Sequence, residues 1–218
     1  MLREEVAGAN VPSSQSKIQN RESKITQGGV VRFPVNFQSG IMRARFNPAD
    51  GQLYVAGLRG WQTTGVRNGC LQRVRFTGAP VRMPVALHAK KGTLAITFSC
   101  DLDAASAADA QNWNIEQWNY IWSASYGSPE VSTEAPAENG GEAGKDGAPQ
   151  WTTAQMGKPK HDAVTVKSAR LLDDKRTVVL EIPALKPVMQ MSTRYGIKSA
   201  EGTAVSGEIL HTIHALGE

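Results

Sequence analysis

Apolar and polar residues alternate with a period of two along most of this chain. The alternation is clearest in Ile41-Met42-Arg43-Ala44-Arg45-Phe46, Gln52-Leu53-Tyr54-Val55-Ala56-Gly57 and Leu71-Gln72-Arg73-Val74-Arg75-Phe76-Thr77. A period of two sends successive side chains to opposite faces of an extended backbone, so these stretches predict strands with one wet face. Val30-Val31-Arg32-Phe33-Pro34-Val35 reads as a strand ahead of them. Asn47-Pro48-Ala49-Asp50-Gly51 reads as a turn, because Pro fixes φ and Gly supplies a positive φ. Four short strands in about fifty residues match one blade of a β-propeller in length and order. No second copy of the pattern occurs in the chain. A lone blade leaves faces and strand edges that need covering.

After Thr77-Gly78-Ala79-Pro80 the pattern changes. Seven further segments read as strands: 85–88, 93–98, 113–122, 163–169, 177–182, 192–197 and 208–213. Turn signals separate them, Asp173-Asp174-Lys175 among these, and the spacing suggests an immunoglobulin-like β-sandwich. Asp101 to Ala108 reads as a short helical turn capped by Asp103. Two stretches offer little to bury: a polar arm over 1–25, and a Gly/Ala/Glu/Pro-rich insertion over 123–162, expected to be mobile. The expected organisation is all-β: a disordered arm at 1–25, a propeller-blade-like β-meander at 26–80, and an immunoglobulin-like sandwich at 81–218.

Composition narrows this picture. A hydrophobic fraction of 40% in 218 residues excludes a wholly disordered chain. No apolar run approaches the ~20 residues that cross a bilayer, and no secretory signal follows Met1. Two cysteines exclude a disulfide-rich scaffold and a four-cysteine zinc site. Charge is uneven. Residues 1–80 hold 11 Lys/Arg and 4 Asp/Glu, residues 81–163 hold 6 and 10, and residues 164–218 hold 7 and 6. The basic excess is mostly arginine, at Arg32, Arg43, Arg45, Arg59, Arg67, Arg73 and Arg75, alternating with apolar residues. Without a base-stacking motif, this is read as a solvated or partner-facing strand surface, not a nucleic-acid site.

The strongest constellation is aromatic. Trp118, Tyr120 and Trp122 share one parity, while Trp113, Ile115 and Ile121 share the other. The first set, with Tyr126, can form a platform that stacks on a sugar ring or docks a neighbouring domain. Alternatively the insertion covers that face, with Tyr126 and Trp151 closing over it; packing is the commoner use of large aromatics. His211 and His214 are three apart, which puts them on opposite faces of a strand and gives poor geometry for a shared metal. Asp101, Asp103 and Asp109 lack the glycine and glutamate of a calcium loop. Catalytic, phosphate-binding and zincin motifs are missing, so no catalytic, cofactor or metal residue is assigned. Cys70 and Cys100 are read as free thiols in preference to a disulfide. Met83, Met189 and Met191 are read as packing residues between blade and sandwich.

Three stretches carry a family resemblance: Arg45 through Gln62, Leu71 through Gly78, and Pro183 through Met191. They resemble the C-terminal part of large exported bacterial proteins described as haem-binding or dehydrogenase-like. Those proteins carry a propeller similar to sorbosone and glucose dehydrogenases and often a cytochrome c domain. The resemblance covers about residues 27–218. It implies the last propeller blade followed by an immunoglobulin-like domain, from a periplasmic or cell-surface family. Haem or quinone would belong to the full-length relatives. Covalent haem needs Cys-x-x-Cys-His, and Cys70 and Cys100 are thirty residues apart, so no cofactor is carried onto this chain. The function expected is that of a non-catalytic interaction or structural module, whose partner is a protein or the missing blades. The alternatives are a fragment of a haem- or quinone-dependent sugar or alcohol dehydrogenase, and a carbohydrate-binding sandwich.

Overall fold

Alternation of side chains across each strand sorts this chain into antiparallel sheets, none of them closed. The structure, a computed structural model, describes residues 2–7, 24–33, 35–60, 65–120, 130–134 and 161–218. The chain divides into two compact units, Met1–Arg32 with Arg82–Glu218, and Phe33–Val81.

In chain order the first strands are β1 (Leu2–Ala7), β2 (Lys24–Val31), β3 (Gly40–Phe46), β4 (Leu53–Leu58) and β5 (Gly69–Val74). β6 (Pro84–Lys90) and β7 (Thr93–Phe98) precede helix α1 (Ala104–Ala108). Then come β8 (Trp113–Tyr120), β9 (Glu130–Val131), β10 (Asp162–Val164) and β11 (Ser168–Leu171). β12 (Thr177–Glu181), β13 (Val188–Lys198) and β14 (Ala204–Ile213) complete the order.

In the large unit, one sheet runs β1-β2-β14-β13-β8-β10, with β9 also paired to β8. The other runs β11-β12-β7-β6. Their inward residues form one sandwich-like core: Leu94, Ile96 and Phe98 on β7, Val178 and Leu180 on β12, Trp113 and Ile115 on β8, Met191, Tyr195 and Ile197 on β13, and Ile209 and Ile213 on β14. Phe98 sits edge-on to Tyr195 and Trp113, at centroid distances of 5.2 and 6.3 Å. The Trp113 indole N–H is satisfied by the Ala107 carbonyl at 3.1 Å.

Local chemistry sets the turns. Asp103 caps α1, its carboxylate accepting from the Ser106 N–H at 2.8 Å, and this bond holds the Asp103 pKa below its ordinary value. Asp103→Ala is therefore expected to lower Tm, and Asp103→Asn, which keeps the acceptor, to retain most of it; equal losses in thermal melts would refute the capping role. Asp174 turns β11 into β12 by accepting from Thr177 Oγ1 at 2.6 Å and from the N–H groups of Arg176 and Thr177 at 2.9 Å.

Several expectations need correction. The loose arm expected over 1–25 is not loose at Leu2–Ala7, which pairs with β2 along six residues. Val30-Val31, expected to open the small sheet, belongs to β2 and pairs with β14 at Leu210 and Ile209. The small sheet therefore has three strands, β3-β4-β5. Residues 163–169 are not one strand: β10 pairs with β8 and β11 with β12, so the chain passes from one sheet to the other between them. Within the expected insertion, Glu130–Val131 is strand β9, set against Asn119 and Tyr120. Met191 packs in the core of the large unit, whereas Met189 is exposed.

In the small unit, Asn47 closes the β3–β4 turn, accepting from the Gly51 N–H at 2.8 Å, with Gly51 at φ 66°. Gly57 passes so close to the Gly40 carbonyl that a Cβ has no room.

Candidate functional site

The aromatic strand β8 uses its two faces differently. Trp113 and Ile115 enter the core, as their parity predicts. Trp118 lies on the opposite face, yet it is only 6% exposed. The β10–β8 register, with Asp162 opposite Gln117, brings His161 opposite Trp118. The imidazole stacks on the indole at 3.8 Å and 10°. Asp162 fixes this approach by accepting from Ser132 Oγ at 2.7 Å, Thr133 N–H at 2.6 Å and Thr133 Oγ1 at 2.8 Å. Trp118 Nε1 finds no hydrogen-bond acceptor among the described residues.

A chain of polar and charged side chains continues across the same face. His161 Nε2 lies 2.6 Å from Glu130 Oε2, and Nδ1 lies 3.8 Å from Glu116 Oε2. Arg194 reaches Glu116 at 3.5 Å and Glu208 at 3.1 Å. The Ser192 hydroxyl donates to Glu208 at 2.6 Å and, with Arg194, holds the Glu208 pKa below its ordinary value. This arrangement braces β9, the start of β10, β8, β13 and β14. Each imidazole nitrogen faces a different carboxylate, so the donors do not converge on a point where a cation could sit. Among the described residues no three His, Cys, Asp or Glu side chains form a metal-holding group.

The platform expected from Trp118, Tyr120, Trp122 and Tyr126 is thus closed at Trp118 by His161. Tyr120 is half-buried, its N–H lying 3.2 Å from Met189 Sδ. Trp122 and Tyr126 lie outside the described residues, as does Trp151. Sequence reasoning did not find Glu116, Glu130, His161, Arg194 or Glu208 as a group. The one available signal was the even parity that Glu116 shares with Trp118.

The two cysteines are free and half-buried. Cys70 accepts from the Ser39 hydroxyl at 2.9 Å. Burial pushes the Cys100 thiol up, which keeps it protonated and a poor nucleophile. His211, which sequence spacing set apart from His214, is buried in the core beside Thr193, with Nε2 to Thr193 Oγ1 at 3.1 Å.

The second candidate surface is the small sheet. Its strand register places Arg45, Tyr54 and Arg73 in one row across β3, β4 and β5, with Arg43, Ala56 and Leu71 in the next. The opposite face carries the rows Phe46-Leu53-Val74 and Ala44-Val55-Gln72. Val55 is buried, at 3% exposure. Phe46, Leu71 and Phe76 are 73%, 77% and 81% exposed. Singly exposed apolar side chains are ordinary; here Phe46 and Leu71 stand on opposite faces of the three-stranded sheet, and Phe76 follows β5.

Comparison with known proteins finds no matching family model, no matching curated protein and no matching solved structure. No helix among the described residues is long and apolar enough to cross a membrane.

Proposed function

We propose that this chain is a non-catalytic interaction module, and that the small unit Phe33–Val81 is the part that docks a protein partner. One observation carries the reading: the small unit leaves Phe46, Leu71 and Phe76 largely in water while burying Val55. Each large apolar side chain left exposed forgoes about 1.5–3 kcal/mol of burial, and a unit this small has little core to spare. A partner that covers those side chains recovers that free energy.

In this reading the small unit is one blade-like meander of a propeller-type architecture, and the large unit is an immunoglobulin-like sandwich. Kinship with exported dehydrogenase-like propeller proteins belongs to the same proposal and accounts for the uncovered faces: in a ring, neighbouring blades bury them. The stack of His161 on Trp118 weighs against a sugar-stacking platform on β8, because the indole face that a pyranose would use is taken.

Hydrogen exchange on the full chain tests the proposal. Amides of β3–β5 are expected to exchange roughly a hundredfold faster than those of β7 and β13, as expected of an uncovered sheet. Equal protection in the two units of a monomeric chain would overturn it.

A further inference from the structure

We infer that the outer edge of β5 accepts an extended partner strand in which acidic and apolar residues alternate. The inference rests on the docking role of the small unit and names the chemistry of what docks there. Charge is the first argument. Residues 33–81 contain six arginines, no lysine, no glutamate and one aspartate, a net +5 within a chain of +4; the remainder of the chain is therefore −1. The single carboxylate, Asp50, is engaged locally: it accepts from Tyr54 Oη at 2.8 Å and from the Gln52 N–H at 3.0 Å, and Arg73 is near enough for its charge to stabilise the carboxylate as well. Among the described residues no carboxylate pairs with Arg43 or Arg45. A second copy docking through the same segment would bring +5 against +5, which repels; an acidic partner is attracted and steered.

The sheet edges choose the site. The β3 edge is blunted by a bulge between Ile41 and Arg43, and the Met42 carbonyl there already accepts from Arg43 Nη1 at 2.8 Å. Bulges of this kind discourage strand addition. β5 keeps an unbroken register with β4 over six residues, from Val74 opposite Leu53 to Gly69 opposite Leu58, and has no strand on its other side among the described residues. In this inference the backbone groups of β5 that point away from β4 act as the template, and its two faces supply the specificity. On one face an incoming acidic side chain meets Arg73, with Arg45 two strands away in the same row. On the other face an incoming apolar side chain extends the row Phe46-Leu53-Val74.

The side chains on offer also favour protein over nucleic acid. Arg, Tyr, Phe, Met and Leu without Lys or Glu is the composition of a protein interface core. Phosphate would leave the apolar face uncovered.

The experiment uses the full chain and three fluorescein-labelled probes: the decapeptide (Glu-Val)5, its counterpart (Lys-Val)5, and a ten-nucleotide oligo-dT. Anisotropy is expected to show binding of (Glu-Val)5 alone. Arg73→Glu, at an exposed position beside the partner strand, is expected to weaken it about tenfold, Arg45→Glu, three strand spacings or about 14 Å away, to weaken it less than threefold, and added salt to weaken it further. Binding of (Glu-Val)5 that both charge reversals leave unchanged, or tighter binding of oligo-dT, overturns the inference. Hydrogen exchange separates the two levels. Fast β5 amides with no (Glu-Val)5 binding overturn the partner chemistry alone, whereas protected β5 amides in the free chain overturn the docking role as well.

Discussion

Phe98→Ala is expected to lower the unfolding free energy of the large unit by about 4 kcal/mol. Phe98 is among the most deeply buried large side chains and stands between Trp113 and Tyr195 in edge-on contact with both rings. Truncation removes the transfer free energy of the ring and leaves a cavity between two aromatics that β8 and β13 hold in place. Ordinary domains have a total stability of about 5–15 kcal/mol, so the variant should sit near the edge of folding at room temperature. Phe98→Leu fills most of the volume and should cost about a third as much. Urea unfolding monitored by Trp fluorescence measures both. A loss under 1 kcal/mol for the alanine variant would mean that the two sheets do not share this core.

Acidification should produce the next largest effect, through His211. Burial holds its pKa down at about 4, against an ordinary value of 6.5. Between those two values the unfolded chain binds a proton that the folded chain refuses. The stability His211 confers as a neutral group is complete above about pH 6.5 and declines as pH falls. The loss reaches about 2 kcal/mol at pH 5 and about 3 kcal/mol at pH 4. The geometry explains the depression. His211 stands on the core face of β14, opposite Met191 on β13 and Gly29 on β2. Its Nε2 meets Thr193, and its Nδ1 has no partner among the described residues. Among the described residues an imidazolium there has no carboxylate to pair with, and the acids of the brace, Glu116 and Glu208, lie on the other face of the sheet. His211→Met, of similar bulk and without a proton to take up, should flatten the stability profile between pH 7 and 5. Denaturation curves at the two pH values decide it: an unchanged slope in the variant would assign the acid sensitivity to another group.

How much of this was legible beforehand depends on the range of the interaction involved. Asp103 as a cap, Asn47 to Gly51 as a turn and Asp173 to Lys175 as a hairpin were readable, since each involves only a few neighbouring residues. The core face of β8 was readable too, because parity alone assigns Trp113 and Ile115 to one side. The partner of Trp118 was not. His161 is 43 residues away in the sequence and reaches the indole only because Asp162 pairs opposite Gln117. An aromatic stripe that parity presents as an open platform is therefore covered at Trp118 by a residue that no local rule selects.

The same distinction holds for the whole chain. By itself the sequence determined that the protein is built of short strands, where a few of them such as β3, β4, β7 and β12 begin and end to within a residue, and that its arginines gather in one segment, because alternation, turn residues and charge are properties of near neighbours. Only the tertiary structure decided that Val30-Val31 joins the large sheet beside β14, that residues 163–169 divide between two sheets, and that His211 is sealed in the core. Those outcomes depend on which strand lies next to which, a competition among distant segments that a pattern with a period of two leaves open.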